Sequence, residues 1–239
     1  MSLNPDIIDF AIVGAFVIYS VTIGFRSRKQ ASRDLIEYFL AGRSVSGTRA
    51  GFSMAATQFA ADTPLLVMGL IAMGGIFSLW RLWIYGLAFL MMGFILAAAW
   101  RRSGVLTDAE LVMTRYSARG ALALRGLKAV YYGTIINCVV MAFVLIAAVR
   151  IFEIVLPWNE WLPAAFYNVV ADAIAATGLQ LSSGVTGLAP VIASTNNVLS
   201  IAAMLAFVAL YSTTGGLRSV IATDVAQLSV MLAGTAIYA

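Results

Sequence analysis

The sequence predicts an all-α integral membrane protein, and three observations carry that prediction. Of 239 residues, 62% are hydrophobic and only 11% charged, with a mean hydropathy of +0.93. A soluble domain runs about 45–50% apolar and about 25% charged. The apolar residues form continuous runs rather than alternating ones, which selects helices over a barrel. The basic residues cluster in alternate loops between those runs. A soluble enzyme and a disordered chain are both excluded, because this much apolar surface has no soluble core to enter.

The elements follow in order. A helix needs about 20 mostly apolar residues to cross the hydrocarbon core. Residues 7–25 form the first span. The flank before it (Asn4, Pro5, Asp6, Asp9) is not the basic start of a cleaved leader, and Arg26, Arg28 and Lys29 after it stop transfer, so the span is expected to stay. Residues 51–77 form a second span, long and interrupted at Pro64, which lacks an N–H and clashes with the preceding turn. Spans three and four cover 79–100 and 129–156, the latter long enough to tilt. Spans five and six cover 197–213 and 220–239. The segment 163–177 is apolar but short and carries Asp172, so it reads as a peripheral or interfacial helix.

Loops 26–49 and 101–128, with Arg218 in the last turn, hold thirteen of the fifteen lysines and arginines. Loop 157–196 holds none. The positive-inside rule then places the N-terminus outside and the basic loops in the cytoplasm, in a bacterial-type inner membrane. Six spans put all three basic segments on one side; a seventh at 163–177 would invert Arg218. The pI of about 9.4 is thus an orientation signal rather than a nucleic-acid patch. Cys138 is the single cysteine, which excludes an internal disulfide framework, and there is no histidine, which removes most zinc sites and the usual general base. No phosphate-cradling Gly-x-x-x-x-Gly-Lys-Ser/Thr loop occurs, so ATP-driven pumping has no support.

The second span is the most informative. Ser53, Thr57, Gln58, Asp62 and Thr63 sit near its centre beside Pro64. A carboxylate at that depth costs roughly 2.5 kcal/mol or more unless it meets water, a partner or an ion. Two readings stand. One is a proline kink with small residues for helix packing. The other is a broken helix whose free carbonyls hold a cation.

Three further motifs bear on this. Tyr38-Phe39-Leu40-Ala41-Gly42-Arg43 precedes the second span, Gly104-Val105-Leu106-Thr107-Asp108-Ala109-Glu110 follows the third with Arg115-Tyr116 after it, and Tyr211-Ser212-Thr213-Thr214-Gly215-Gly216-Leu217 leads to Thr223-Asp224-Val225-Ala226-Gln227. Each also has a plain structural account: Gly42 allows a turn, Thr107 and Glu110 make a capping box, and Gly215-Gly216 make a tight interhelical turn. Asp224 suits the start of a helix. In this order, between these spans, the set resembles the sodium:solute symporter family.

The resemblance implies a LeuT-type fold. Residues 1–47 would be a leading transmembrane helix and cytoplasmic loop, and 48–239 the first five-helix inverted repeat, with the second repeat absent and the chain the front part of a longer transporter. It implies sodium-coupled symport of a small organic solute, with Na+ as the coupling ion and no organic cofactor. The sodium site would take the backbone carbonyls of Ala56 and Phe59, with Asp224 on the sodium exit path. Thr57, Gln58, Asp62, Thr63, Arg81 and Trp83 are candidates for the substrate or a second ion. Asp62 is read three ways: a second cation site, a proton acceptor, or a partner for Arg81. Leu82 stands where a sugar transporter carries an acid, which argues against a hexose; Arg81 invites a carboxylate, or anchors the interface among Trp80 and Trp83. The alternative is a non-transporting sensor or scaffold on the same fold, or a half-transporter that needs a partner chain.

Overall fold

The computed structural model describes residues 7–117 and 119–238; Asn4, Pro5, Asp6 and Ala239 lie outside them. In chain order the helices are α1 (Ile7–Ala31), α2 (Leu35–Leu40), α3 (Gly47–Thr57), α4 (Asp62–Gly74), α5 (Ile76–Ser103), α6 (Asp108–Arg115), α7 (Gly120–Val155), α8 (Trp158–Trp161), α9 (Ala164–Thr177) and α10 (Pro190–Tyr238). The described residues contain no strand. The expected spans are present but longer than their apolar runs. The α1 helix continues through Arg26, Arg28 and Lys29 to Ala31, because hydropathy marks the hydrocarbon core and not the helix end.

The second span is broken as expected. The helix stops at Thr57 and restarts at Asp62. Pro64 explains the position: it cannot donate to the Ala60 carbonyl, and its ring clashes there. Within α4 it occupies the first turn, where the missing N–H has no intrahelical partner anyway.

The α10 segment is helical on both sides of Gly216, whose φ of 58° and ψ of −159° are not helical. Here the chain folds back. Ser219 Oγ donates to the Tyr211 carbonyl over 3.1 Å, whereas eight residues of unbroken helix would separate them by about 12 Å. The same stretch of α1 touches both arms: Phe16 meets Phe207 edge-on, and Tyr19 Oη donates to the Ala222 carbonyl at 3.4 Å. Spans five and six are therefore two arms of a hairpin. Among the described residues, four helices are long and apolar enough to cross a membrane, and the broken pair makes a fifth candidate. The Gly216 reversal divides the longest of them, α10, into two arms.

The chain divides into two compact units, residues 1–60 with 145–239, and residues 61–144. In the first, α1 packs on α10 through small residues. Ser20, Gly24 and Ala31 are its buried positions. A Cβ on Gly24 would lie 3.1 Å from the Tyr211 Cα, and one on Gly215 would lie 3.0 Å from the Gly24 Cα. In lipid, such close backbone approach supplies the packing that hydrophobic burial supplies in water. The α9 helix, at 14 residues too short to span, is tied to the start of α10, in line with a peripheral role.

In the second unit, α4 ends at Gly75 (φ 71°) and α5 opens with a 3-10 turn over Ile76–Leu82. Both long helices carry a π turn, at Met92–Leu96 in α5 and Tyr131–Ile136 in α7. The α6 helix is capped by Thr107, whose hydroxyl accepts from the Glu110 N–H at 3.2 Å. Glu110 reaches back to the Leu106 N–H at 2.9 Å, one residue before the usual capping-box donor.

Candidate functional site

The end of α3 concentrates several of the sequence candidates. Ser53 and Ala56 are its buried positions. The last turn leaves carbonyls without helical donors. The Ala55 carbonyl accepts from the Gln58 N–H at 3.2 Å and the Ala56 carbonyl from the Phe59 N–H at 3.0 Å. The Gln58 N–H also turns toward the Ala56 carbonyl, so backbone donors gather on that oxygen at the break. Thr57 Oγ1 folds back onto the Ser53 carbonyl at 2.9 Å. Ser53 Oγ in turn donates to Asp224 Oδ2. A carboxylate on the second arm of α10 is thereby joined to the first half of the broken span.

Asp224 was expected to matter; its partner was not. Ser53 stood in the sequence as one of several polar residues, and the 171 residues between the two hide the pairing. Thr223, next to it, is fully buried and donates to the Ser219 and Val220 carbonyls. It therefore serves the helix backbone.

At the basic end of this unit, two of the motifs prove to be one assembly. Arg218 binds Glu37 Oε2 through Nη2 at 3.1 Å, and the same nitrogen donates to the Ala41 carbonyl and Ser44 Oγ, each at 2.9 Å. Ala41, Gly42 and Arg43 all have positive φ, at 50°, 62° and 53°. Such backbone is costly for the two residues bearing side chains, by about 1–3 kcal/mol each, and persists where its surroundings fix it. The Gly216 turn presses on the same segment: a Cβ there would lie 2.8 Å from the Tyr38 carbonyl.

The opposite end holds a carboxylate that the sequence reading passed over. Glu153, in the last turn of α7, is 3% exposed. Its Oε2 accepts from the Ser183 N–H (2.8 Å), Ser183 Oγ (2.7 Å) and Asn197 Nδ2 (3.1 Å), and its Oε1 from Thr186 Oγ1 (2.9 Å). Asn197 Nδ2 also donates to the Leu181 carbonyl at 2.6 Å. Nearby, Asn196 bonds Asn159, and Trp158 Nε1 donates to Ser200 Oγ at 2.8 Å. Tyr167 Oη lies 3.0 Å from Asn196 Oδ1, and burial pushes its phenol above the usual range. A carboxylate inside an apolar run was the available signal for Glu153.

The remaining candidates lie in the second unit. Asp62 and Thr63 open α4. Arg81 lies in the 3-10 turn before Trp83, and the Trp80 and Trp83 rings stack at 5.1 Å. Among the described residues no ion pair joins Asp62 to Arg81, so that one of the three readings of Asp62 is not realised. The cause is local: Asp62 heads one helix, and Arg81 follows the Gly75 break that opens the next. Among the described residues of this unit, Lys128 pairs with Asp108 at 2.6 Å, both partly exposed. No three cysteines or carboxylates gather among the described residues.

Comparison with known proteins supplies the remaining test. Neither the curated proteins nor the solved structures contain a match to this chain. The sodium:solute symporter family model matches residues 38–175, more than half of the chain. The matched stretch takes in the Tyr38–Arg43 motif, the broken span and the capped α6 segment. With its set of membrane-length helices, the chain belongs to the sodium:solute symporter family.

Proposed function

We propose that the chain takes part in sodium-coupled symport of a small organic solute, with α1 and its following loop (residues 1–47) as a leading element and residues 48–239 as the first five-helix repeat of a LeuT-type fold. The observation that carries this reading is the hydrogen bond from Ser53 to Asp224. It links the first half of the broken span to the last span through a carboxylate, as a cation path along that boundary requires.

In this mechanism Na+ is cargo. The carbonyls of Ala56 and Phe59 hold it at the break, since a hard cation takes neutral oxygen ligands readily. Its binding steadies the broken helix and favours the outward-open state by its differential affinity for that state. The solute then binds near Thr57, Gln58, Asp62 and Thr63, with Arg81 and Trp83 as further candidates and a carboxylate as the favoured class. Rocking of one bundle against the other exposes both to the cytoplasm, and Asp224 receives the departing ion. No organic cofactor and no covalent chemistry enter. The basic loops face the cytoplasm of a bacterial-type inner membrane and the N-terminus faces out.

The test is sodium-dependent solute uptake by the full protein in vesicles. Asp224→Asn and Ser53→Ala are expected to raise the half-saturating sodium concentration about tenfold, the size of one lost hydrogen bond to a charged group at about 1.5 kcal/mol. Asp62→Asn is expected to change solute affinity or ion stoichiometry instead. Unchanged sodium dependence in the first two variants would remove Asp224 from the ion path.

A further inference from the structure

A cleft of about 680 Å³ opens at the basic end of the first unit, between α1, the start of α3 and the second arm of α10. Its volume falls in the range of roughly 300–1,000 Å³ typical of small-molecule sites. The lining is sorted by depth. At one end stand Arg49, Arg218, Ser27, Ser44 and Ser46. At the other stand Tyr19, Ile23, Ile221 and Val225. Tyr19, Ile23 and Ser27 are spaced four apart, so they form one stripe that runs along α1 from the apolar end to the polar end.

Two of the polar groups are engaged: Ser44 Oγ donates to the Ala41 carbonyl at 2.9 Å and accepts from Arg218. Arg218 is fixed by Glu37, Ala41 and Ser44. Arg49 has no ion pair or hydrogen bond among the described residues. Ser46 precedes α3 without capping it through its side chain. Glu37 pairs with Arg218, while Arg49 forms no ion pair and Arg26, Arg28 and Lys29 stand on the last turns of α1.

We propose that this cleft binds the phosphate-bearing headgroup of an anionic phospholipid, with Arg49 and the Ser27 and Ser46 hydroxyls on the phosphate and an acyl chain along Ile23 and Ile221. Charge and hydroxyl donors at the interface level select an anion. The apolar half, deeper along the same helices, selects a ligand with a hydrocarbon tail over free phosphate.

The experiment uses the full protein in lipid nanodiscs. Phosphatidylglycerol is expected to be retained over phosphatidylcholine after detergent washing, measured by native mass spectrometry. Arg49→Gln is expected to lower that retention about fivefold, the effect of one basic residue at a membrane surface, with Arg49→Lys closer to wild type. Inorganic phosphate at millimolar concentration is expected not to displace the lipid. A photoactivatable phosphatidylglycerol bound to the unmodified protein is expected to label α1 and α10 around Ile23 and Ile221, so the test survives a poorly folding variant. Equal retention of both lipids, displacement by inorganic phosphate, or labelling confined to other helices would each overturn the proposal.

Discussion

The two ends of the first unit solve the same problem in opposite ways. At the basic end, Glu37 meets a cation, Arg218, and both side chains stay partly exposed, at 21% and 31%. At the other end, Glu153 is 3% exposed and meets no cation among the described residues; four neutral hydrogen bonds hold it. Exposed ion pairs contribute little, about 0–1 kcal/mol, because water and salt screen them. A buried charge whose donors are taken away is costly. The visible salt bridge is therefore the weaker fastener of the two, and shape does more than charge at its end: Gly24, Gly215 and Gly216 let the backbones meet.

That contrast can be broken by five variants, read as thermal unfolding in detergent. Glu153→Ala is expected to cost the most, about 3 kcal/mol or more, since Ser183, Thr186 and Asn197 lose their common acceptor. Glu153→Gln should cost less, about 1–3 kcal/mol; no loss at all in Glu153→Gln would show that the charge is irrelevant there. Gly216→Ala follows at about 1–3 kcal/mol, for its backbone conformation suits glycine and the Tyr38 carbonyl blocks a methyl group. Gly24→Ala should cost about 1–2 kcal/mol by overpacking against Tyr211. Glu37→Gln comes last, below about 1 kcal/mol, and its effect should shrink in high salt. A Glu37→Gln loss larger than that of Gly216→Ala would reverse the account of the basic end.

The sequence made local features legible. Continuous apolar runs located the spans, Pro64 located the break, and the Gly215-Gly216 pair located the reversal that turns one long helical stretch into two. Each depends on neighbours within a turn or two. The pairings between distant residues were not legible. Ser53 and Asp224 are 171 residues apart, and Glu153 is 30 residues from Ser183 and 44 from Asn197. Arg218 was informative for orientation because charge per loop is a sum, while its grip on the Tyr38–Arg43 segment required knowing that the hairpin turn comes back to that segment. Of the three readings of Asp62, the pair with Arg81 is absent: the two residues lie on either side of the boundary between spans two and three, and the chain turns there at Gly75.

The small-residue face of α1 also sets a timetable. Tyr19 and its partner Ala222 are 203 positions apart. At about 5–20 residues synthesised per second, some 10–40 s pass before the helix meets its match. For that interval α1 stands in the bilayer with Ser20 and Gly24 turned toward lipid, a surface that other small-faced helices can occupy. The protein's assembly is thus exposed to competition early, and the Gly216 hairpin, which delivers Tyr211 and Ala222 together, ends it in one docking event.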